Sequence, residues 1–427
     1  MVEVNLSGIS GFLDAAAMDY SAAANAHRML MERTGPGSEL TGWLKLPEQM
    51  LDGQFRRIQS LAERIRAQSQ VLVVVGVGGS YLGARAGLEL ICSPNYNLTH
   101  KDGPDIFFAG ESLSPSALAE TLDLIGERDF SVNLISKSGK TIETSLAFRI
   151  LREKLEKKFG AAGAKKRIYV TTGPETALHH SAEADGWELL ELSDSVGGRY
   201  SVLSPVGLLP LACAGIDIEK LLIAANSAMQ ELGRQSPLNP AWQYAAARQQ
   251  LYALGRSVEI LCSFEPHFRS VTEWWKQLFG ESEGKNGVGI FPASLIYSTD
   301  LHSMGQYLQE GPRCMFESIV SFRSAKRDLK IPFAMGDRDT LNYLAGKSLN
   351  TVNKAAEQAA RDAHIAGGVP VIGISVENMD EAGFAELVCF FEVACALSGY
   401  ILGVNPFDQP GVEYYKQNMH RLLEAAE

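Results

Sequence analysis

Nothing in this sequence starts a metal site. The six cysteines, Cys92, Cys213, Cys262, Cys314, Cys389 and Cys395, form no C-x-x-C pair, and no two of the eight histidines have the spacing of a zinc-protease helix. Cysteines scattered in this way fit free thiols in a reducing cytoplasm, so the expectation is a cytoplasmic protein with no metal and no cofactor. Positive charge is also short. Lys and Arg number 39 against 50 Asp and Glu, a net charge of -11, which disfavours a nucleic-acid partner. An anionic ligand must then be held by local donors. The N-terminus, Met1-Val2-Glu3-Val4-Asn5, lacks the basic and apolar regions of a signal peptide. The one membrane-like stretch, Phe384 to Val404, carries Glu386 and Glu392. Each is costly in hydrocarbon, so the stretch reads as a helix buried in a core or subunit interface, not a membrane span.

What is present is globular: 46% hydrophobic and 21% charged residues, in 427 positions that suffice for two domains. Val71-Leu72-Val73-Val74-Val75 is an unbroken run typical of a parallel strand covered on both faces. Asp105–Ala109, Val132–Ile135 and Arg167–Thr171 repeat it with helical segments between, which predicts a doubly wound α/β domain over roughly 40–195. Helices are expected over 12–33, 51–67, 203–214, 218–232 and 240–254, and further ones at about 340–365, 380–402 and 411–424. Strands are expected at 257–262 and 369–374.

The stretch Ser136-Lys137-Ser138-Gly139-Lys140-Thr141-Ile142-Glu143-Thr144 lies where the third of these strands turns into a helix. Such a turn offers free backbone N–H groups and the positive end of a helix dipole. Gly139 allows close approach, and Ser136, Ser138, Thr141 and Thr144 add hydroxyl donors, so the turn suits a phosphate monoester. A helix cap with spare hydroxyls is the plainer alternative.

Other stretches carry chemistry less specifically. Gly76-Val77-Gly78-Gly79-Ser80-Tyr81-Leu82-Gly83 has Tyr81 where a dinucleotide fingerprint needs its third glycine and Ala84 where a Walker loop needs lysine. It is a glycine turn that either binds a ligand through Ser80 or packs a helix tightly. Gly197-Gly198-Arg199-Tyr200-Ser201 presents an Arg suited to a developing oxyanion or to an ordinary ion pair. Trp274 to Gly287 is an aromatic helix ending in a loop with two carboxylates, Glu281 and Glu283. A glutamate desolvated by such aromatics can shuttle a proton, and spacing alone does not choose between the two. In Ser298 to Gln306, Asp300 reads as a helix N-cap with His302 in the first turn, an acid–base position or a structural one. Asn405 to Lys416 is a turn entering the last helix, with Gln409 before it and Lys416 two turns in, aimed at a cleft or at solvent.

Together and in this order, these stretches resemble the glucose-6-phosphate isomerase (phosphoglucose isomerase) family in its shorter bacterial form, from about residue 40 to the C-terminus. Gly197–Ser201 with its continuation to Ile216, and Phe407-Asp408-Gln409-Pro410-Gly411-Val412-Glu413, are its most specific segments. The resemblance implies two sugar-isomerase (SIS) domains, each a doubly wound α-β-α sandwich with a parallel sheet. The first would span 40–198 and the second 199–427, after an N-terminal helical extension over 1–39. It implies an enzyme interconverting glucose 6-phosphate and fructose 6-phosphate through ring opening and a cis-enediolate, acting as a homodimer. Glu281 would be the base and Arg199 would stabilise the intermediate. His302 and Lys416 would assist ring opening. Gly79, Ser80, Ser136, Lys137, Ser138, Thr141, Thr144 and Gln409 would contact substrate. Rival readings within the superfamily are an isomerase that also takes mannose 6-phosphate and a non-catalytic sugar-phosphate-binding regulator, which would lack the base, Arg and Lys.

Overall fold

The computed structural model describes residues 1–14 and 18–424. It contains two five-stranded sheets. The strands in chain order are β1 (Glu3–Asn5), β2 (Val71–Val75), β3 (Asp105–Ala109), β4 (Phe130–Ser136), β5 (Ile168–Thr172), β6 (Glu188–Glu191), β7 (Val258–Ser263), β8 (Phe291–Ile296), β9 (Met315–Phe322) and β10 (Val371–Val376). The first sheet has the order β3-β2-β4-β5-β6 and every pair in it is parallel. All five residues of β2 are buried, as expected of a central strand with helices on both faces. The second sheet has the order β1-β10-β9-β7-β8, parallel except at β1.

The N-terminal 39 residues are more than a helical extension. Val2 is buried, and Glu3–Asn5 pair antiparallel with Ser375–Gly373 at the edge of the second sheet. The helix expected over 12–33 covers Ser21–Met31, and positions 15–17 lie outside the described residues. The helix expected near 340 starts at Leu349, where Ser348 Oγ accepts the N–H of Thr351. Strands β6, β8 and β9 were not legible from apolar runs. Edge strand β8 contains Pro292, tolerated at an edge. Strand β9 carries Glu317 and Ser318 in the interior, where Glu317 is bonded to Tyr297 and His364 and Ser318 to Glu259.

The apolar helix Glu381–Ile401 runs inside the protein. It packs against helices Ser21–Met31, Ile218–Leu232, Pro240–Ala253 and Arg269–Glu283, and 89% of its most apolar window is buried. Protein therefore covers the faces that a membrane span would offer to lipid. Burial pushes the Glu392 carboxyl well above the usual carboxylate range. The C-terminal helix Gly411–Glu424, in contrast, has no buried residue.

In the first sheet the chain leaves β2 for β3 on one side, then returns to place β4 on the other. Ligands of open α/β sheets bind in the crevice formed at such a reversal, beyond the carboxyl ends of the strands. The turns that emerge there from β2 and β4 are Gly76–Ser80 and Ser136–Thr144.

Candidate functional site

Arg199 is the centre of the arrangement. It lies in a short 3-10 turn, Gly198–Tyr200, and only 2% of the residue is exposed. Its Nε donates to Ser282 Oγ at 2.8 Å, and its Nη1 to Glu281 Oε2 at 3.0 Å and Gln409 Oε1 at 2.7 Å. Its Nη2 donates to the carbonyls of Pro406 at 2.7 Å and Asp408 at 3.2 Å. One guanidinium thus joins the glycine turn at 197, the end of the helix Arg269–Glu283 and the turn before the last helix. The planar fork of Arg suits this, since its donors are fixed in direction.

The helix Arg269–Glu283 sorts its side chains by face. Positions 275, 279 and 283 are four residues apart and share the core face, where Trp275, Phe279 and Glu283 are fully buried. Positions 277 and 281 form another row. There Gln277 Nε2 donates to Glu281 Oε1 at 3.1 Å, and the Glu281 side chain keeps 29% exposure. The helix therefore gives the two carboxylates different surroundings. Glu283 is ion-paired with Arg248 in the interior, and Glu281 stays partly exposed beside Arg199. The expectation that aromatics surround Glu281 needs correction. Phe279 lies under the Arg248 guanidinium at 4.3 Å, Trp274 donates its indole N–H to the Arg199 carbonyl, and Glu281 meets polar partners.

The glycine turn after β2 closes on this cluster. A Cβ on Gly79 would stand 2.2 Å from the Gly198 carbonyl oxygen, so the two glycine turns meet backbone to backbone. Gly78 lies against the Gln277 amide. Ser80 follows in the same short turn, half-buried.

The hydroxyl turn sits at the neighbouring strand end. Ser136 is the last residue of β4 and Thr141 precedes the helix Ile142–Lys165 at its N-cap position. Gly139 has φ +67, the left-handed conformation that closes the turn. The Ser136 and Thr141 hydroxyls are 3.2 Å apart, and Ser138 is exposed. Thr144 is buried and its Oγ1 has no partner. Lys137 departs from its expected place on substrate: its Nζ donates to the carbonyls of Asp194 at 2.9 Å and Val196 at 2.8 Å. It is a strut between this turn and the one that carries Arg199. Burial lowers its pKa from the usual lysine range.

Two expected residues are not brought into the cluster. Asp300 does not cap a helix; it lies inside the 3-10 turn Thr299–His302, with its Oδ2 accepting the N–H of Ile296 at 2.6 Å. His302 ends that turn, exposed. Lys416 is exposed on the C-terminal helix and donates to Glu413 at 2.6 Å. Two residues not singled out in the sequence join the cluster around Arg199. Gln277 was signalled by its i, i+4 spacing to Glu281. Lys285 spans to Asp408 Oδ1 at 2.8 Å and also bonds the Asn405 carbonyl, tying the two loops that flank Arg199. Burial holds its pKa below the usual lysine range. Among the described residues no group of His, Cys, Asp and Glu has the arrangement of a metal site.

Known proteins are similar to this chain over most of its length. Residues 54–319 match the family model described as phosphoglucose isomerase. The chain is 51% identical over 404 residues to a glucose-6-phosphate isomerase of Symbiobacterium thermophilum, covering 93% of this chain and 90% of that one. It is 47% identical over 429 residues to that of Alkaliphilus metalliredigens, covering 99% and 95%. Among solved structures, a hypothetical protein from Thermus thermophilus superposes with a TM-score of 0.88 at 28% identity, covering 99% and 100% of the two chains. A glucose-6-phosphate isomerase from Chlamydia trachomatis superposes with a TM-score of 0.77 at 20% identity, covering 88% and 74%, a likeness of fold.

Proposed function

The chain belongs to the phosphoglucose isomerase family, and from that premise we propose that the cluster around Arg199 is the site where one proton moves between adjacent carbons of an open-chain hexose phosphate. The protein is an aldose–ketose isomerase of the glycolytic and gluconeogenic step between glucose 6-phosphate and fructose 6-phosphate. An aldose and its ketose differ only in where one C–H and one O–H hydrogen sit. Glu281 takes the proton from C2 and returns it to C1, or the reverse, on one face of a cis-enediolate. Arg199 opposes the negative charge that develops on the enediolate oxygens. Gln277 and Gln409 hold the carboxylate and the guanidinium in register and contact the sugar, with Gly79 and Ser80 lining the floor. The observation that carries this reading is the pairing of Glu281 with Arg199 and Gln277 on its two oxygens. Assay of the purified protein with fructose 6-phosphate and with mannose 6-phosphate tests the substrate; turnover of both at similar kcat/KM would favour a bifunctional enzyme. Six free thiols and no disulfide among the described residues support a cytoplasmic setting.

The phosphate is assigned to the turn after β4, with Ser138 and Thr141 as the accessible hydroxyls and Ser136 and Thr144 behind them. Replacing Ser138 and Thr141 together by Ala is expected to raise KM for fructose 6-phosphate by about 30-fold or more, since each charge-assisted bond contributes roughly 1–3 kcal/mol and two are lost. Competitive inhibition by inorganic phosphate should weaken in parallel. Unchanged KM and unchanged phosphate inhibition would move the cradle elsewhere.

His302 and Lys416 are assigned to ring opening in a site completed by a second copy of the chain. Both are exposed, and the helix bearing Lys416 leaves Tyr414, Leu422 and Leu423 uncovered. Co-expressing Glu281→Gln with His302→Ala tests the trans arrangement. Each variant alone should be inactive, and the mixture should recover about a quarter of wild-type activity, from hybrid dimers with one intact site. No recovery would show that His302 and Glu281 do not complement between chains.

A further inference from the structure

The interior below the site holds a charged cluster that the isomerisation itself does not use. Arg248, Glu259 and Glu283 each have 0% exposure. Arg248, on helix Pro240–Ala253, donates from Nη1 to Glu283 Oε1 at 2.5 Å and from Nη2 to Glu283 Oε2 at 3.3 Å, a two-point grip. Its Nε donates to Glu259 Oε2 at 2.6 Å, and Nη1 also reaches Ser398 Oγ at 2.5 Å. Tyr244 and Ser318 complete the shell by donating to Glu259 Oε1 at 2.5 and 2.6 Å. One cation thus meets two carboxylates, with hydroxyls supplying the remaining donors.

Stability does not account for such a cluster, because apolar residues of similar volume commonly hold a core as well as a buried ion pair does. Geometry does. Glu283 is the last residue of the helix that carries Glu281. At about 100° per residue the two carboxylates point roughly 200° apart, one into the core and one into the cleft. The intervening Ser282 accepts the Arg199 Nε–H. The last turn of a helix has no further turn beyond it to set its rotation, and here Gly284 ends the helix at once. A fork that fixes Glu283 in a plane fixes the rotation of that turn, and a displacement of about 1 Å at a reacting group can cost about 10²-fold in rate.

We propose that Arg248 is a positioning residue for the proton transfer: by gripping Glu283 from the core it sets the aim of the Glu281 carboxylate across the two reacting carbons. The proposal rests on the reading of Glu281 as the base. Arg248 itself is sealed from the cleft by its burial and touches no substrate. A base aimed off the line between C2 and C1 still removes the proton from one carbon but returns it late to the other. In heavy water that delay lets the carboxylic acid exchange its proton for deuterium before the return. Deuterium incorporated per turnover therefore reports the aim of the base, and it is unaffected by the fraction of molecules that are folded.

The test uses Arg248→Lys, which keeps the charge and loses the fork, and the combined variant Arg248→Met/Glu259→Gln/Glu283→Leu, which removes the charges while filling the volume. Isomerisation of fructose 6-phosphate in heavy water is followed by NMR. Both variants should show kcat lowered by about 10- to 100-fold, KM within about threefold of wild type, and more deuterium at C1 or C2 per turnover. If the combined variant does not fold, Arg248→Lys decides alone. Wild-type kcat and wild-type deuterium partitioning in a folded variant overturn the proposal. Glu281→Gln measured alongside separates the two readings. An active Glu281→Gln enzyme overturns the base, whereas an inactive one with wild-type partitioning in the Arg248 variants overturns only the positioning role.

Discussion

Glu281→Gln should lower kcat for fructose 6-phosphate by about 10⁴-fold, the upper end of what a positioned general base contributes, with sugar-phosphate affinity within a few-fold of wild type. The amide is the right probe because it preserves the surroundings. Its oxygen still accepts from Arg199 Nη1, and its shape still fits beside Gln277. What it loses is the ability to hold a proton. On the proposed mechanism the proton leaves one carbon and arrives at its neighbour on the same face, and a single carboxylate is positioned to serve both. Binding measured by calorimetry with fructose 6-phosphate separates loss of chemistry from loss of substrate. Isomerisation by the wild type in heavy water should leave some deuterium on C1 or C2, since a carboxylic acid whose side chain keeps 29% exposure exchanges with solvent before it returns every proton. An active Glu281→Gln enzyme, or full retention of substrate hydrogen at every temperature, would remove Glu281 from this role. Glu283→Gln should do far less than Glu281→Gln, because Glu283 is sealed in the core against Arg248.

Several local arrangements in the cluster around Arg199 and in the neighbouring hydroxyl turn are legible in the sequence, and the illegible ones have physical causes. The strand–turn–helix at Ser136–Thr144 was legible because an apolar run, a glycine and clustered hydroxyls each report on the local chain. The bracing role of the Lys137 ammonium was not legible, because its partners, the carbonyls of Asp194 and Val196, lie 57 and 59 residues away. A lysine beside a phosphate turn and a lysine bracing a backbone look alike in one dimension. Spacing alone left Glu281 and Glu283 open, because it does not say which face of the helix meets the core. Trp275, Phe279 and Glu283 repeat every four residues, which puts Glu283 on the core face if the aromatics are there. Strand β9 was hidden because its interior carboxylate and hydroxyl break the apolar run, and their partners come from β7, from Tyr297 and from the distant helix that carries His364. His302 and Lys416 are a different case. The motifs found them, but the fold of one chain leaves both in solvent. A site completed by a second copy, as proposed for these two residues, would have no signature in the periodicity of a single sequence.

Arg199→Lys is the second large effect, expected to lower kcat by about 10²-fold with KM changed much less, because the fixed charge beside Glu281 is displaced; all five Arg199 donors are engaged within the protein, so the charge acts through space. Charge is kept in this variant, so the loss measures geometry. Arg199 spreads five hydrogen bonds over three directions: Ser282 on Nε, Glu281 and Gln409 on Nη1, and the Pro406 and Asp408 carbonyls on Nη2. An ammonium carries its donors at one point and cannot span from Ser282 to the 406–408 turn. If Lys reaches the turn, it leaves the enediolate oxygens; if it stays by Glu281, the buried Pro406 carbonyl loses its donor, at a cost of roughly 1–3 kcal/mol. The second alternative lowers Tm as well as kcat, so thermal unfolding followed beside kinetics distinguishes them. Either way the base loses a fixed cation next to the place where negative charge develops, and the transition state suffers more than the ground state because only there does the oxygen carry that charge. A variant with normal kcat and a raised KM would instead identify Arg199 as a group that binds substrate without favouring the enediolate.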